Sequence, residues 1–305
     1  MTLQAIGIDI GGTHTKLAIV SEDGAIQHLE SLPTAAREDP QDYLDNLIER
    51  IGHLINGNAI KGIGLAAPGF LSKDRRSIRY NPNTPTLVGI DYVNLLDRFN
   101  LPVWLEQDLN VPTVAEYYFG EFRGAPRLMT VSIGTGLGAG FVVEGKVLDF
   151  SGGTIGDNGH IILEPDGPTC TAGCHGCGEA LIATPGIERL AEKYNQNKSH
   201  HIDAHEVISA VKQGQPWALE IIEQIGGWLG QWLASVAPIF LPSHVILCGG
   251  VAEAGEPLRI KAESRFHELS GPEYTQCIIA LSHFGGRAGV IGAAAPFLAK
   301  SFLEK

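Results

Sequence analysis

A strand, a glycine-containing turn and a returning strand occur twice in this chain, and that repetition constrains its fold more than any other feature. Residues 5–10 are apolar apart from Gly7 and Asp9, Gly11-Gly12-Thr13 turn, and residues 16–20 return; about 122 residues further on, 128–133 are largely apolar, Gly134-Thr135-Gly136 turn, and 139–143 return. The order predicts two lobes of similar build. Length agrees, because 305 residues exceed one comfortable core. Tyr43, Leu44, Leu47, Ile48, Ile51 and Leu54 recur at helical spacing over 40–54. Further helices are expected over 91–99, 110–119, 185–194, 203–212, 216–237, 257–269 and 288–302, and strands over 63–67, 102–106, 245–248 and 277–281.

Composition excludes some functions. Hydrophobic residues make up 44% and charged residues 18%, which rules out a disordered chain. The net charge of −12 gives no bulk attraction for phosphate backbones, so no nucleic-acid partner is expected. No Asp, Glu, Lys or Arg occurs between Gln224 and Ala252, a length that could span a bilayer. Pro238, Pro242 and His244 interrupt it, so it reads as a buried helix, a proline-marked turn and a core strand. Asp9 interrupts the early apolar run, which argues against a signal peptide. A cytoplasmic protein with no membrane partner is the expectation.

Four segments carry chemistry. In Asp9-Ile10-Gly11-Gly12-Thr13-His14-Thr15 the glycines let backbone N–H groups face a phosphate, Thr13 or Thr15 can add a hydroxyl, and Asp9 suits a metal-bound water. Gly134, Thr135 and Gly136 form a second turn of that kind. Neither has the lysine of a P-loop. Asp108, between a strand and a helix, suits a base that accepts a hydroxyl proton; the alternative is an ordinary helix N-cap. Cys170, Cys174 and Cys177 fall within eight residues, and with a histidine they suit tetrahedral Zn²⁺. His160 and His175 are both available as the fourth ligand. Cys248 and Cys277 stand alone in apolar surroundings and are expected to be buried thiols.

Together these segments resemble the ROK family of sugar kinases, in the right order and over essentially the whole chain. The family's Asp-x-Gly-Gly-Thr motif is met by Asp9, Gly11, Gly12 and Thr13, and its Asn-Asp-x-Asn segment by Gln107-Asp108-Leu109-Asn110. Its Glu-x-Gly-His and Cys-x-Cys-Gly-x-x-Gly-Cys-x-Glu signature is met by Asp157 to His160 and by Cys170 to Glu179. Three positions depart. Ala172 replaces the second cysteine while Cys174 stands two residues on, Asp157 is one methylene shorter than Glu, and Gln107 is one methylene longer than Asn.

The resemblance implies an actin-like ATPase (ribonuclease H-like) α/β fold of two lobes with a cleft between them and a structural zinc knuckle. The small lobe is expected over 1–118, completed by a C-terminal helix at 288–305, and the large lobe over 119–287. ATP with Mg²⁺ would be bound by Asp9, Gly11, Gly12, Thr13, Gly134, Thr135, Gly136, Gly249 and Gly250. Asn83, Gln107, Asp108, Asp157, His160 and Glu179 would bind the sugar, with Asp108 as catalytic base. His160, Cys170, Cys174 and Cys177 would hold the zinc. The implied activity is ATP-dependent phosphorylation of a hexose, glucose before N-acetylmannosamine, fructose, mannose or allose, by a protein expected to form homodimers. Family members that are repressors carry a DNA-binding segment ahead of the first motif; here that motif starts at residue 9, so a repressor is not expected.

Overall fold

A computed structural model describes residues 2–35, 37–150, 152–195 and 201–299. The chain divides into two compact units. The first comprises 1–126, 140–156 and 287–305, and the second 127–139 and 157–286. The division expected at residue 118 falls at Pro126; α3 (Asn110–Phe119) runs through the expected boundary. Residues 140–156, expected in the larger lobe, pack with the first unit: Tyr118 donates to the Gly145 carbonyl at 3.1 Å, and Val142 packs with Val114 and Tyr118.

In the first unit a five-stranded sheet has the order β3-β2-β1-β4-β7, formed by β1 (Gln4–Ile10), β2 (His14–Ser21), β3 (Ile26–Pro33), β4 (Ile60–Ala67) and β7 (Val103–Gln107). The hairpin β1–β2–β3 is antiparallel, whereas β4 and β7 run parallel to β1. One face packs on α1 (Gln41–Ile55), where Leu47 and Ile51 meet Ile6, Ile8 and Leu65 in a core. The alternate residues face the other way. There Gly7 and Gly64 admit α9 (Ala288–Ala294) so closely that a Cβ on either would lie 1.8 Å from a carbonyl oxygen of that helix. The short hairpin β5 (Phe70–Leu71) and β6 (Ile78–Tyr80) follows β4, and α2 (Tyr92–Leu96) precedes β7.

In the second unit β8 (Arg127–Ile133), β11 (His244–Cys248) and β12 (Ile278–Leu281) run parallel in that order. The strand β9 (Leu137–Val143) carries the chain into the first unit, where it pairs with β10 (Lys146–Val147). Helices α4 (Gly178–Ile182), α5 (Thr184–Ala191), α6 (Ala204–Lys212), α7 (Pro216–Phe240) and α8 (Glu256–Leu269) complete the unit. Among the described residues no helix is long and apolar enough to cross a membrane.

Several elements differ from expectation. The helix expected over 91–99 is α2 followed by a 3-10 turn at Asp97–Phe99, with Asp91 capping it by accepting from the Asn94 N–H at 2.9 Å. α7 continues through Pro238 and ends only where Leu241 turns left-handed, at φ 47°. The C-terminal helix is α9 and a 3-10 turn at Ala295–Phe297; residues 300–305 of the expected helix lie outside the described residues. Cys248 and Cys277 are buried free thiols, as expected.

Candidate active site

The parallel strands of the first unit all end on one edge, and the chemistry gathers there. Asp9 is the penultimate residue of β1, and Asp108 directly follows β7. The Asp108 N–H donates to the Ala67 carbonyl at the end of β4, at 3.0 Å. Leu109, not Asp108, is the N-cap residue of α3, and no side chain caps that helix. The N-cap alternative for Asp108 is thereby removed, and its carboxyl is left for other work. Both carboxylates are half-buried. Burial pushes Asp108 up to about 7, and the Asp9 charge adds to the rise. Asp9 is raised by burial too, against the opposing pull of Lys16, its cross-strand partner.

Beyond Asp9, the Gly11 N–H closes the turn on the His14 carbonyl at 3.1 Å, while Gly12 and Thr13 are exposed. Thr15 is not available as a phosphate ligand. It is fully buried, and its hydroxyl lies 2.8 Å from both Tyr43 Oη and Thr34 Oγ1. Gln107 is buried at 7% exposure, and its Oε1 has no hydrogen-bond partner. Asn83 is exposed on the loop after β6; its N–H donates to Asn81 Oδ1 at 3.0 Å. Gly69, at φ 84°, lies against that loop, since a Cβ there would come within 2.3 Å of the Tyr80 carbonyl.

In the second unit the Gly134 and Gly249 turns stand side by side. They follow the neighbouring strands β8 and β11, and a Cβ on Gly249 would meet the Ile133 carbonyl at 2.5 Å. The Gly134 N–H donates to the Gly136 carbonyl at 2.9 Å, and the Thr184 N–H and hydroxyl both donate to the Gly134 carbonyl. Thr135 is exposed at the tip. A cavity of about 430 Å³ opens beside Gly250 and Val251, walled by Thr184, Glu188, His205 and Lys212. Nothing in the sequence pattern marked these wall residues, which come from α5 and α6.

His160, Cys170, Cys174 and Cys177 converge, with one donor atom from each lying within 4.8 Å of the others. His160 Nδ1 is 3.7 Å from Cys170 Sγ and 3.6 Å from Cys177 Sγ. A tetrahedral Zn²⁺ with bonds of ~2.05 Å to nitrogen and ~2.3 Å to sulfur separates such atoms by about 3.6 Å, so the donor set fits that ion. His175 is directed elsewhere, with Nδ1 3.1 Å from Thr169 Oγ1. The left-handed Gly176, φ 60°, brings the knuckle against Glu164, leaving no room for a side chain. The other His160 nitrogen, Nε2, is 3.6 Å from the exposed Asp157. Glu179 lies in the first turn of α4 just past the last cysteine; the Leu137 N–H reaches its Oε2 at 3.4 Å and the Thr171 hydroxyl its Oε1 at 3.4 Å. Behind the site, the Trp232 indole of α7 donates to the Asn158 carbonyl at 2.9 Å.

The sequence profile of the ROK family matches residues 5–300. The chain is 30% identical to a glucokinase of Thermotoga maritima, the match covering 96% of each chain. It is 26% identical to a xylose repressor of Bacillus subtilis, over 88% of this chain and 71% of the repressor. The crystal structure of a ROK family glucokinase from Streptomyces griseus, in complex with glucose and AMPPNP, matches with a TM-score of 0.83 at 27% identity, over 98% of this chain and 99% of that one.

Proposed function

The chain belongs to the ROK family, and from that membership we propose that it is an ATP-dependent hexose kinase acting on the 6-hydroxyl of glucose. Its mixed α/β fold is the actin-like ATPase fold of the ROK sugar kinases. The observation that carries the reading is Asp108: a carboxyl at a strand end, not spent on capping, and pushed up to about 7. A base with a pKa near the working pH is both substantially deprotonated and a strong enough acceptor. Asp108 accepts the hydrogen bond of the 6-hydroxyl, aims its oxygen at the γ-phosphorus, and takes the proton as the new P–O bond forms and the bond from the γ-phosphorus to the bridging oxygen breaks, with ADP leaving.

The remaining roles follow from the chemistry of each group. In the first unit, Gln107 Oε1 and Asn83 bind sugar hydroxyls, and the turn of Gly11, Gly12 and Thr13 faces phosphate with the N–H groups of Gly12 and Thr13, that of Gly11 being used to close the turn on His14. Mg²⁺ arriving with the nucleotide neutralises phosphate charge, and Asp9 would hold it through water. In the second unit, Asp157, His160 Nε2 and Glu179 bind sugar hydroxyls. Gly134, Thr135 and Gly136 face phosphate, and the cavity beside Gly249 and Gly250 takes adenosine. His160, Cys170, Cys174 and Cys177 would hold Zn²⁺ as a closed set that fixes His160 and Glu179 in place.

The test is a sugar panel with ATP, read as ADP release. Glucose should show the highest kcat/KM. A lower value than for N-acetylmannosamine, fructose, mannose or allose would reassign the substrate, and no turnover of any hexose would remove the kinase reading.

A further inference from the structure

Glu106 immediately precedes Gln107 and Asp108 and is almost fully buried, at 2% exposure. Its Oε1 accepts from the Gln107 backbone N–H at 2.8 Å and from Asn110 Nδ2 at 3.0 Å. One carboxylate oxygen therefore grips both ends of the turn that carries Asp108. The other oxygen, Oε2, pairs with Arg75 Nη1, and Arg75 Nη2 pairs with Asp149. Asn110 Nδ2 also donates to the Gly153 carbonyl, which ties the same turn to a neighbouring segment of the first unit.

Arg75 is itself held. It sits at φ 53° in the turn between β5 and β6, its N–H donates to the Ser72 carbonyl at 2.9 Å, and Ser72 Oγ accepts from the Ser77 N–H at 3.1 Å. An isolated buried carboxylate is unfavourable, and an apolar pair of similar volume would fill the space at no loss of stability. What an apolar pair would lack is a directed acceptor for the Gln107 N–H and the Asn110 amide.

We propose that Glu106, braced by Arg75, is a positioning residue for phosphoryl transfer: it fixes the Asp108 carboxyl in place without touching the substrate. The proposal rests on Asp108 being the base. In such a step a misplacement of ~1 Å costs about 10²-fold in rate.

The experiment compares Glu106→Ala, Glu106→Gln, Arg75→Ala and Arg75→Lys with wild type and Asp108→Asn. Glu106→Ala and Arg75→Ala should each lower kcat about 10–100-fold per folded molecule, with KM for ATP changed less than twofold. Glu106→Gln keeps the Oε1 acceptor and Arg75→Lys keeps the charge, so both should recover part of the loss. A pair that only stabilises the fold would lower Tm and leave kcat per folded molecule unchanged, and that result overturns the proposal. Crystal structures of Glu106→Ala and Arg75→Ala give a readout independent of turnover. The Asp108 carboxyl should move by about 1 Å, with its N–H drawn away from Ala67; an unmoved carboxyl also overturns the proposal. An inactive wild type or a fully active Asp108→Asn would instead defeat the base assignment, and the crystal structures would still judge Glu106.

Discussion

The negative charge of Asp9, near the end of β1, raises the pKa of Asp108, which follows β7. Two carboxylates at one sheet edge resist being ionised together, and each is also penalised by burial. The edge is therefore less stable than it would be with neutral groups.

The pH profile should show it directly. Asp108 accepts a proton only when deprotonated, so kcat/KM for the sugar should fall below an acid limb near pH 7, about tenfold per pH unit. In Asp9→Asn the residual activity should show its limb at lower pH, because the charge that raises Asp108 is gone. A wild-type limb near pH 4 would contradict the assignment.

Asp108→Asn should separate activity from stability. Loss of a general base lowers kcat by roughly 10²–10⁴-fold, with much less change in sugar KM. The folded pKa of Asp108 lies above its unfolded value, so its contribution favours folding at low pH and is lost as pH rises through about 7. At pH 8 the asparagine variant should thus melt higher than wild type, by about 1–2 °C for each kcal/mol gained. Calorimetry at pH 5 and pH 8 checks the sign, since the gain should shrink at the lower pH.

Metal analysis should find about one zinc per chain. Cys174→Ala should lose the metal and with it sugar affinity, because His160 and Glu179 flank the knuckle. Full zinc occupancy in that variant would exclude Cys174 from the ligand set.

Gln107→Met tests the buried Oε1. An unpaired buried acceptor costs about 1–3 kcal/mol, and methionine removes it at similar volume. Tm should hold or rise, while KM for the sugar should rise by at least ~10-fold if Oε1 serves a hydroxyl. A lower Tm with unchanged KM would make Gln107 structural.

What the sequence disclosed and what it hid follow from how local each signal is. The β1–β2 hairpin, α3 and the knuckle are written in contiguous residues, and the displaced Cys174 was legible from spacing alone. β3 escaped notice because it is an outer strand whose side chains are largely exposed, so it shows no apolar alternation. The sequence pattern ends α7 three residues short because Pro238 resembles a stop; Leu241, in the left-handed region, is the real terminus. Arg75 and Glu106 are 31 residues apart, and only the β5–β6 turn brings them together. Periodicity and motif carry no trace of a pairing made by tertiary structure.

The closeness of α9 to Gly7 and Gly64 has a consequence for biosynthesis. Residues 288–294 leave the ribosome after the entire second unit, yet they cover one face of the sheet that contains β1. During translation that face stays bare, with its glycine-lined surface and the edge bearing Asp9 incomplete. The second unit, by contrast, has all its segments by residue 286 and can close earlier. Although its sequence begins first, the first unit is the one whose folding must wait for the other.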